Sequence, residues 1–323
     1  MKEKLWTKDF ISVTTISFFI FLAFYILMTA LPLYLVGQLH AGADKVGLVL
    51  TLFLLAAIVI RPSAGKWVSR GSQKRIFIYS TIAFFVGTLL YPFATNIWAL
   101  LLLRIFHGFT FGIITTVKGT ISAELIPASR RGEGLSFFSL AMGLAMVFGP
   151  LIGLNLSLMH AYNLLFVLCM IISAINIVLS FVTKVPEQDV KAHGKKHKFS
   201  FNDIVDKKAA KFAIPTFFLA FAYSGISSFL PLFAQQINLV AAASTFFAIY
   251  AVFMLICRPF TGRWSDRFGA KVIIYPSIVL YLIGMFMINS THTAAIMIIA
   301  GAIIGIGYGS ITPIFQTQII SSV

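Results

Sequence analysis

The sequence predicts an all-α, polytopic membrane protein made of two helix bundles repeated in parallel, the second of them incomplete. Three observations carry that prediction. Of the 323 residues, 59% are hydrophobic and only 11% charged, with a mean hydropathy of +0.94, whereas a soluble domain carries about a quarter charged residues. Apolar runs of roughly the 20 residues needed to cross a bilayer follow one another along the whole chain. Finally, a basic turn occurs twice, as RPSAGKWVSRGSQK at 61–74 and RPFTGRWSDRFGAK at 258–271. Arg61 and Arg258, Pro62 and Pro259, Gly65 and Gly262, Trp67 and Trp264, Arg70 and Arg267, and Lys74 and Lys271 all stand 197 positions apart. An echo of that kind inside hydrophobic sequence marks an internal duplication.

The spans are expected at 10–36, 46–63, 76–93, 97–118, 134–158, 161–183, 212–236, 241–259, 272–289 and 293–317. They read as helices because lipid leaves no partner for unpaired backbone groups, and no alternating barrel pattern is visible. The first run is too long for a signal peptide and reads as a retained span. Pro259 is expected to begin the departure from the eighth span, and glycine in the basic turn to let the joined helices approach closely.

The formal charge of +15 does not point to nucleic acid, because the cations crowd into alternate connections. Lys2, Lys4 and Lys8 precede the first span. Lys66, Arg70, Lys74 and Arg75 follow the second, and Arg130 and Arg131 the fourth. Eight lysines lie between 184 and 211, and Arg263, Arg267 and Lys271 follow the eighth span. The opposite connections offer only Lys45. A cytoplasmic amino terminus in the cell membrane follows from that bias.

Three segments result: an amino-terminal six-helix bundle at 1–183, a basic cytoplasmic linker at 184–211, and a carboxy-terminal bundle of four helices at 212–323. His193 and His197 in the linker are four apart but lack further ligands, so no metal site is expected. Cys169 and Cys257 lie in or at the end of apolar runs, and a disulfide is not expected. There is no nucleophile with a base, no phosphate loop and no cofactor signature, so no enzyme is read.

The repeat extends beyond the turn. ALPLY at 30–34 echoes FLPLF at 229–233, and Gly108, Phe111, Gly112 and Thr115 echo Gly305, Tyr308, Gly309 and Thr312. These residues together resemble the major facilitator superfamily. Gly262, Asp266, Arg267, Gly269 and Lys271 match its signature turn G-x-x-x-D-R-x-G-x-[RK]; the first copy carries Ser69 for the Asp and Ser72 for the second Gly. Arg104, His107 and Gly108 resemble the R-x-x-Q-G motif of the drug/proton antiporter branch, with His in place of Gln. Gly149, Pro150 and Gly153 resemble that branch's G-P-x-x-G-G motif, with Leu154 for the last Gly.

The resemblance implies two parallel bundles with a central cavity lined by the first, fourth, seventh and tenth spans. Candidate lining residues are Tyr25, Thr29, Arg104, Phe111, Thr115, Ser224, Ser228, Tyr308 and Thr312. It also implies a gating role for the turn (Gly65, Arg70, Gly262, Asp266, Arg267, Lys271), with Asp266 set against the positive start of the fifth helix. Arg104 is a cation inside a lipid-spanning helix, and such residues are costly and tend to face cavities. Lys118 shares its helix face and either snorkels to the surface or joins the cavity. His107 is either a proton-sensing group or a hydrogen-bond donor in place of Gln, the second being favoured. The acids lie near helix ends or in loops, and Glu124 and Glu133 join His107 as proton-coupling candidates.

The functional expectation is a secondary active transporter, monomeric, exporting a small amphipathic compound in exchange for protons by alternating access. Proton-coupled uptake of a small metabolite, and a non-transporting truncated remnant or membrane binding module, are the alternatives. By the repeat offset, Val323 corresponds to position 126, so the second half is expected to lack the counterpart of 127–183. Such a truncated second bundle of helices 7 to 10 is expected to leave small or polar surface uncovered and to weaken function.

Overall fold

A computed structural model describes residues 4–127, 130–185 and 207–322. Within its helices some residues are described by their backbone alone, among them Glu133, Pro259, Gly262, Asp266 and Arg267. The expected latch at Asp266 and the paired linker histidines His193 and His197 therefore lie outside the described residues. The described part is helical: α1 Lys8–Gln38, α2 Ala43–Arg70, α3 Gln73–Leu89, α4 Ile97–Leu125, α5 Arg131–Leu158, α6 Tyr162–Val182, α7 Lys207–Gln236, α8 Val240–Phe268, α9 Lys271–Asn289 and α10 Ala294–Ser322. All ten are long and apolar enough to cross a membrane. A short 3-10 turn, Tyr91–Phe93, carries the chain out of α3.

Several helices outrun the apolar stretches that announce them. α2 reaches Arg70 instead of ending near 63, α4 reaches Leu125 instead of 118, and α8 reaches Phe268 instead of 259. The 28 residues of α2 measure about 42 Å at 1.5 Å per residue, against a hydrocarbon core of about 30 Å. Hydropathy stops where Lys and Arg begin, but the backbone hydrogen bonds do not. Pro259 accordingly lies within α8 rather than starting its departure, just as Pro62 lies within α2. The turn itself shrinks to a few residues. Gly71 caps α2 through its N–H to the Trp67 carbonyl at 2.8 Å, and Ser72, which breaks the signature motif, caps α3 by accepting from the Arg75 N–H at 3.4 Å. In the second copy Gly269 takes φ +87, a left-handed conformation that suits glycine.

The chain forms two compact units, Met1–Gly194 and Lys195–Val323. In the first, α1 packs on α5 and α6, α2 on α4, and α3 on α4 and α6. In the second, α10 packs on α8, α9 and α7. The pairs α2–α4 and α8–α10 use the same device. A Cβ on Gly108 would stand 2.3 Å from the Phe53 carbonyl oxygen, and one on Gly305 2.4 Å from that of Tyr250. One turn on, Gly112 meets Ala57 and Gly309 meets Met254. Every one of these residues is 197 positions from its counterpart, so the duplication is preserved at the level of backbone contact. Gly149 and Gly153 do the same for α5 against Tyr25 and Ile26 of α1. Gly65, expected to bring helices together, has nothing within 4 Å of a built Cβ.

The two kinds of glycine should therefore respond in opposite directions. Gly65→Ala should keep or raise Tm, since alanine is favoured over glycine in a helix by about 1 kcal/mol. Gly305→Val should lower it, because overpacking costs about 1–3 kcal/mol. Thermal unfolding in detergent reads both, and equal destabilisation would contradict the contact geometry.

Candidate functional site

The amino-terminal unit buries a line of polar groups drawn from four helices and the 3-10 turn. Arg104 of α4 is 1% exposed. Its Nε donates to the Val49 carbonyl of α2 at 3.1 Å, and its Nη1 donates to the Tyr91 hydroxyl at 3.0 Å. The guanidinium also lies 4.0 Å from the Phe53 ring centre, a cation–π distance. Tyr91 Oη is 3.0 Å from His107 Nδ1, and His107 Nε2 is 3.4 Å from Thr88 Oγ1. Thr88 in turn donates to the Phe84 carbonyl at 2.9 Å and touches Ser173 Oγ of α6 at 3.2 Å.

Bond directions along this line follow from what each group can do. Arginine only donates, so Tyr91 accepts from it and has its own proton for His107 Nδ1. The ring proton then sits on Nε2, facing Thr88, an assignment made by closing the network. Arg104 was expected at a cavity wall; it is instead enclosed by α2, the 3-10 turn and its own helix. A carbonyl, a hydroxyl and an aromatic face replace the water that a guanidinium would otherwise require.

Around His107 and next to Arg104 sits an aromatic cluster of Phe24, Phe53, Phe84 and Phe111. Phe24 stacks on Phe53 at 5.3 Å and on Phe111 at 5.0 Å, and Phe84 lies 6.4 Å from Phe111. The carboxy-terminal unit rebuilds the cluster with tyrosines. Tyr223 stacks on Tyr250 at 5.6 Å and on Tyr308 at 4.3 Å, and Tyr281 lies 5.8 Å from Tyr308. Tyr250, Tyr281 and Tyr308 are 197 positions from Phe53, Phe84 and Phe111; Tyr223 is 199 from Phe24, the offset of the ALPLY and FLPLF pair. The four tyrosines are buried as their Phe counterparts are. The Phe111–Tyr308 pair of the repeat is one member of a substitution that runs through the whole cluster. At the counterpart of Arg104 stands Gly301, whose built Cβ would fall 2.8 Å from the Phe246 carbonyl. The charge belongs to one unit alone.

The other candidates fall in varied settings. Thr29 and Ser228 are buried, and the hydroxyls of Thr115, Ser224 and Thr312 donate to carbonyls of their own helices. Tyr25 is half-buried on α1, beside Phe21 and Phe24. Glu124 accepts from Gln73 Nε2 at 2.9 Å, tying the carboxy-terminal end of α4 to the start of α3. Lys74, the last residue of the first basic turn, donates to the carbonyls of Ser180, Phe181 and Thr183. It caps α6 at the negative end of its dipole, a role its place in the motif did not announce. Lys118 does not snorkel. It is 2% exposed, donates to Ser17 Oγ of α1, and lies 4.3 Å and 5.4 Å from the rings of Phe21 and Phe138. Among the described residues no group of three or more His, Cys, Asp or Glu could hold a metal.

Tyr91 is the link that sequence motifs missed, since it lies outside the helix 4 pattern and reaches Arg104 only through the 3-10 turn. Tyr91→Phe should leave a guanidinium and an imidazole without their shared partner, at a cost of about 1–3 kcal/mol. Thr115→Ala, which removes a bond internal to one helix, should cost under about 1 kcal/mol. Tm values for the two variants test this, and equal losses would contradict the network.

The comparisons with known proteins agree with this architecture. The family model of the Major Facilitator Superfamily matches residues 13–323. Multidrug resistance protein 1 of Bacillus subtilis is 23% identical, over 97% of this chain and 82% of its own length. The multi-drug resistance efflux pump PmrA homolog of Lactococcus lactis is 22% identical, over 95% of this chain and 78% of its own. Among solved structures, a variant of the nucleoside transporter NupG superposes with a TM-score of 0.72 at 14% identity, covering 96% of this chain and 85% of that one. A bacterial homolog of the human lysosomal transporter Spinster, inward-facing, gives 0.70 at 16% identity, covering 96% and 74%. With a family match over nearly its full length, the chain belongs to the Major Facilitator Superfamily and is a multi-pass membrane transporter rather than an enzyme.

Proposed function

We propose that the protein exports a small amphipathic compound in exchange for protons, by alternating access, with its amino terminus in the cytoplasm. The observation that carries this reading is the buried line Arg104–Tyr91–His107–Thr88. Ionisable groups in the interior of a membrane bundle are costly, and they mark ion and substrate paths more often than they serve packing. The carboxy-terminal unit packs its equivalent helices with Gly301 in place of Arg104, so the fold does not need the charge. The multidrug resistance proteins named above support an amphipathic substrate.

His107 is the coupling group in this reading. A proton arriving on Nδ1 reverses the bond to Tyr91, whose oxygen would then accept from both the imidazolium and Arg104 while its own proton loses its acceptor. The line must rearrange, and a rearrangement inside a packed bundle is the kind of two-state element that transport requires. Glu124, engaged with Gln73, serves the inner ends of α3 and α4.

In inverted vesicles from pump-deficient cells, the protein should drive accumulation of an amphipathic dye such as ethidium while the interior is acid. Collapse of the proton gradient should abolish it. Arg104→Ala should leave membrane abundance near normal and remove accumulation. His107→Gln should remove uphill accumulation while leaving downhill exchange, and gradient-driven accumulation surviving in that variant would sink the coupling assignment.

The cytoplasmic orientation rests on Lys66, Arg70, Lys74 and Arg75 at the α2–α3 connection. In a background with Cys169 and Cys257 replaced by serine, Ser69→Cys should react with a membrane-impermeant maleimide in inverted vesicles only. Labelling in intact cells would reverse the topology.

A further inference from the structure

We propose that a cavity in the amino-terminal unit binds an organic monoanion with an apolar body. The cavity holds about 370 Å³ and is lined by Phe21 of α1, Arg61 of α2, Thr115, Thr116 and Lys118 of α4, and Phe138 and Met142 of α5. Small-molecule sites run from about 300 to 1,000 Å³ and combine apolar walls with a few convergent polar groups. This cavity has both.

Its chemistry is cationic and aromatic. Lys118 is the most buried of these side chains, and its ammonium has three donors. One goes to Ser17 Oγ, and the rings of Phe21 and Phe138 take part of the charge. Among the described residues no carboxylate lies within ion-pair distance of it, the one recorded pair being Lys45 with Asp44 at 3.4 Å. Arg61 adds a second cation at the exposed side of the same cavity. Two like charges facing one space are unfavourable to each other, and an anion placed between them is attracted by both. Thr115 and Thr116 spend their hydroxyl protons on carbonyls of their own helix, which leaves their oxygens as lone-pair acceptors and Lys118 and Arg61 as the donors. Phe21, Phe138 and Met142 offer the apolar surface that a free inorganic ion does not need, with methionine able to adapt its shape. A carboxylate on an aromatic or aliphatic body satisfies all of these features together. A cationic amphiphile satisfies none of the polar ones.

The inference rests on the transport reading for its use, but binding can be measured without transport. The purified 323-residue chain is placed in phosphatidylcholine nanodiscs and dialysed to equilibrium against 1-naphthoate, 1-naphthamide or 1-naphthylmethylammonium. Naphthoate should bind more tightly than the other two. Lys118→Met should weaken naphthoate by about tenfold or more, the scale of a lost charge-assisted hydrogen bond. Arg61→Gln should weaken it by a smaller factor, about threefold, as befits an exposed charge. Lys118→Arg should retain it, and the amide should be indifferent to all three. Lys118→Gln keeps a donor for Ser17 without the charge, and it serves if the methionine variant is not monodisperse. Repeating the dialysis in phosphatidylglycerol nanodiscs separates two sources of the anion. Unchanged affinity assigns the site to a soluble anion, and competition assigns it to a lipid headgroup phosphate.

Preference for the ammonium probe, or naphthoate binding unaltered in both uncharged variants, would overturn the proposal. Failure of the transport reading looks different. A chain that binds naphthoate at Lys118 and moves no solute in energised vesicles keeps this inference and loses the other. A chain that moves cationic dye and shows no naphthoate binding does the reverse.

Discussion

Lipid gives two helices no hydrophobic reward for meeting, so the bundles depend on how closely their backbones can approach. In both units the answer is the same pair of glycines on one helix set close against the backbone of another. Gly108 and Gly112 bring α4 onto α2, and Gly305 and Gly309 bring α10 onto α8. At that separation dispersion and weak polar contacts between backbones replace the missing solvent effect. The aromatic clusters follow from it, because Phe53 and Phe111 come within ring contact at 5.2 Å, and Tyr223 reaches both Tyr250 and Tyr308, only when α2 nearly touches α4 and α8 nearly touches α10. The same approach delivers the Val49 carbonyl to Arg104.

Against that shared scaffold the two units differ in chemistry more than in shape. The amino-terminal unit builds its aromatic cluster from four phenylalanines and puts a guanidinium and an imidazole beside it. The carboxy-terminal unit removes the guanidinium, with Gly301 at the corresponding position, and supplies four phenolic hydroxyls instead. The repeated scaffold thus carries buried charge in one unit and neutral phenol groups at the matching positions of the other. The physical reason for segregation is dielectric: a fixed cation is tolerable only where carbonyls, hydroxyls and ring faces have been arranged around it, and one such arrangement need not be built twice.

The signature turn gains a second meaning from the structure. Its cations sit on the final turns of α2 and the first turn of α3 as much as on a loop, and Lys74 spends its charge on the carbonyls that end α6. A charge that sets topology during insertion can also cap a helix once the bundle is packed. Ser72, which departs from the motif, likewise acquires a function as an N-cap. Degeneracy in a motif is thus not the same as loss of structure, since a polar residue at a chain reversal finds backbone donors nearby.

Span count, duplication and offset, and the presence of Arg104 and His107 inside the fourth span, can be read along the chain without any coordinates. Each of these is a one-dimensional property. Lipid imposes a length on apolar runs, and a repeat is a constant difference in residue number. Where those side chains go is set by how the helices pack. Nothing local could say that Arg104 closes on Val49 and Tyr91 instead of facing a cavity, or that Lys118 turns toward Ser17 of α1, 101 positions away, instead of reaching for the surface. Those outcomes depend on which carbonyl or hydroxyl a neighbouring helix presents at a separation of a few ångströms. That separation is fixed by glycines and aromatic rings on other helices, and hydropathy carries no record of it.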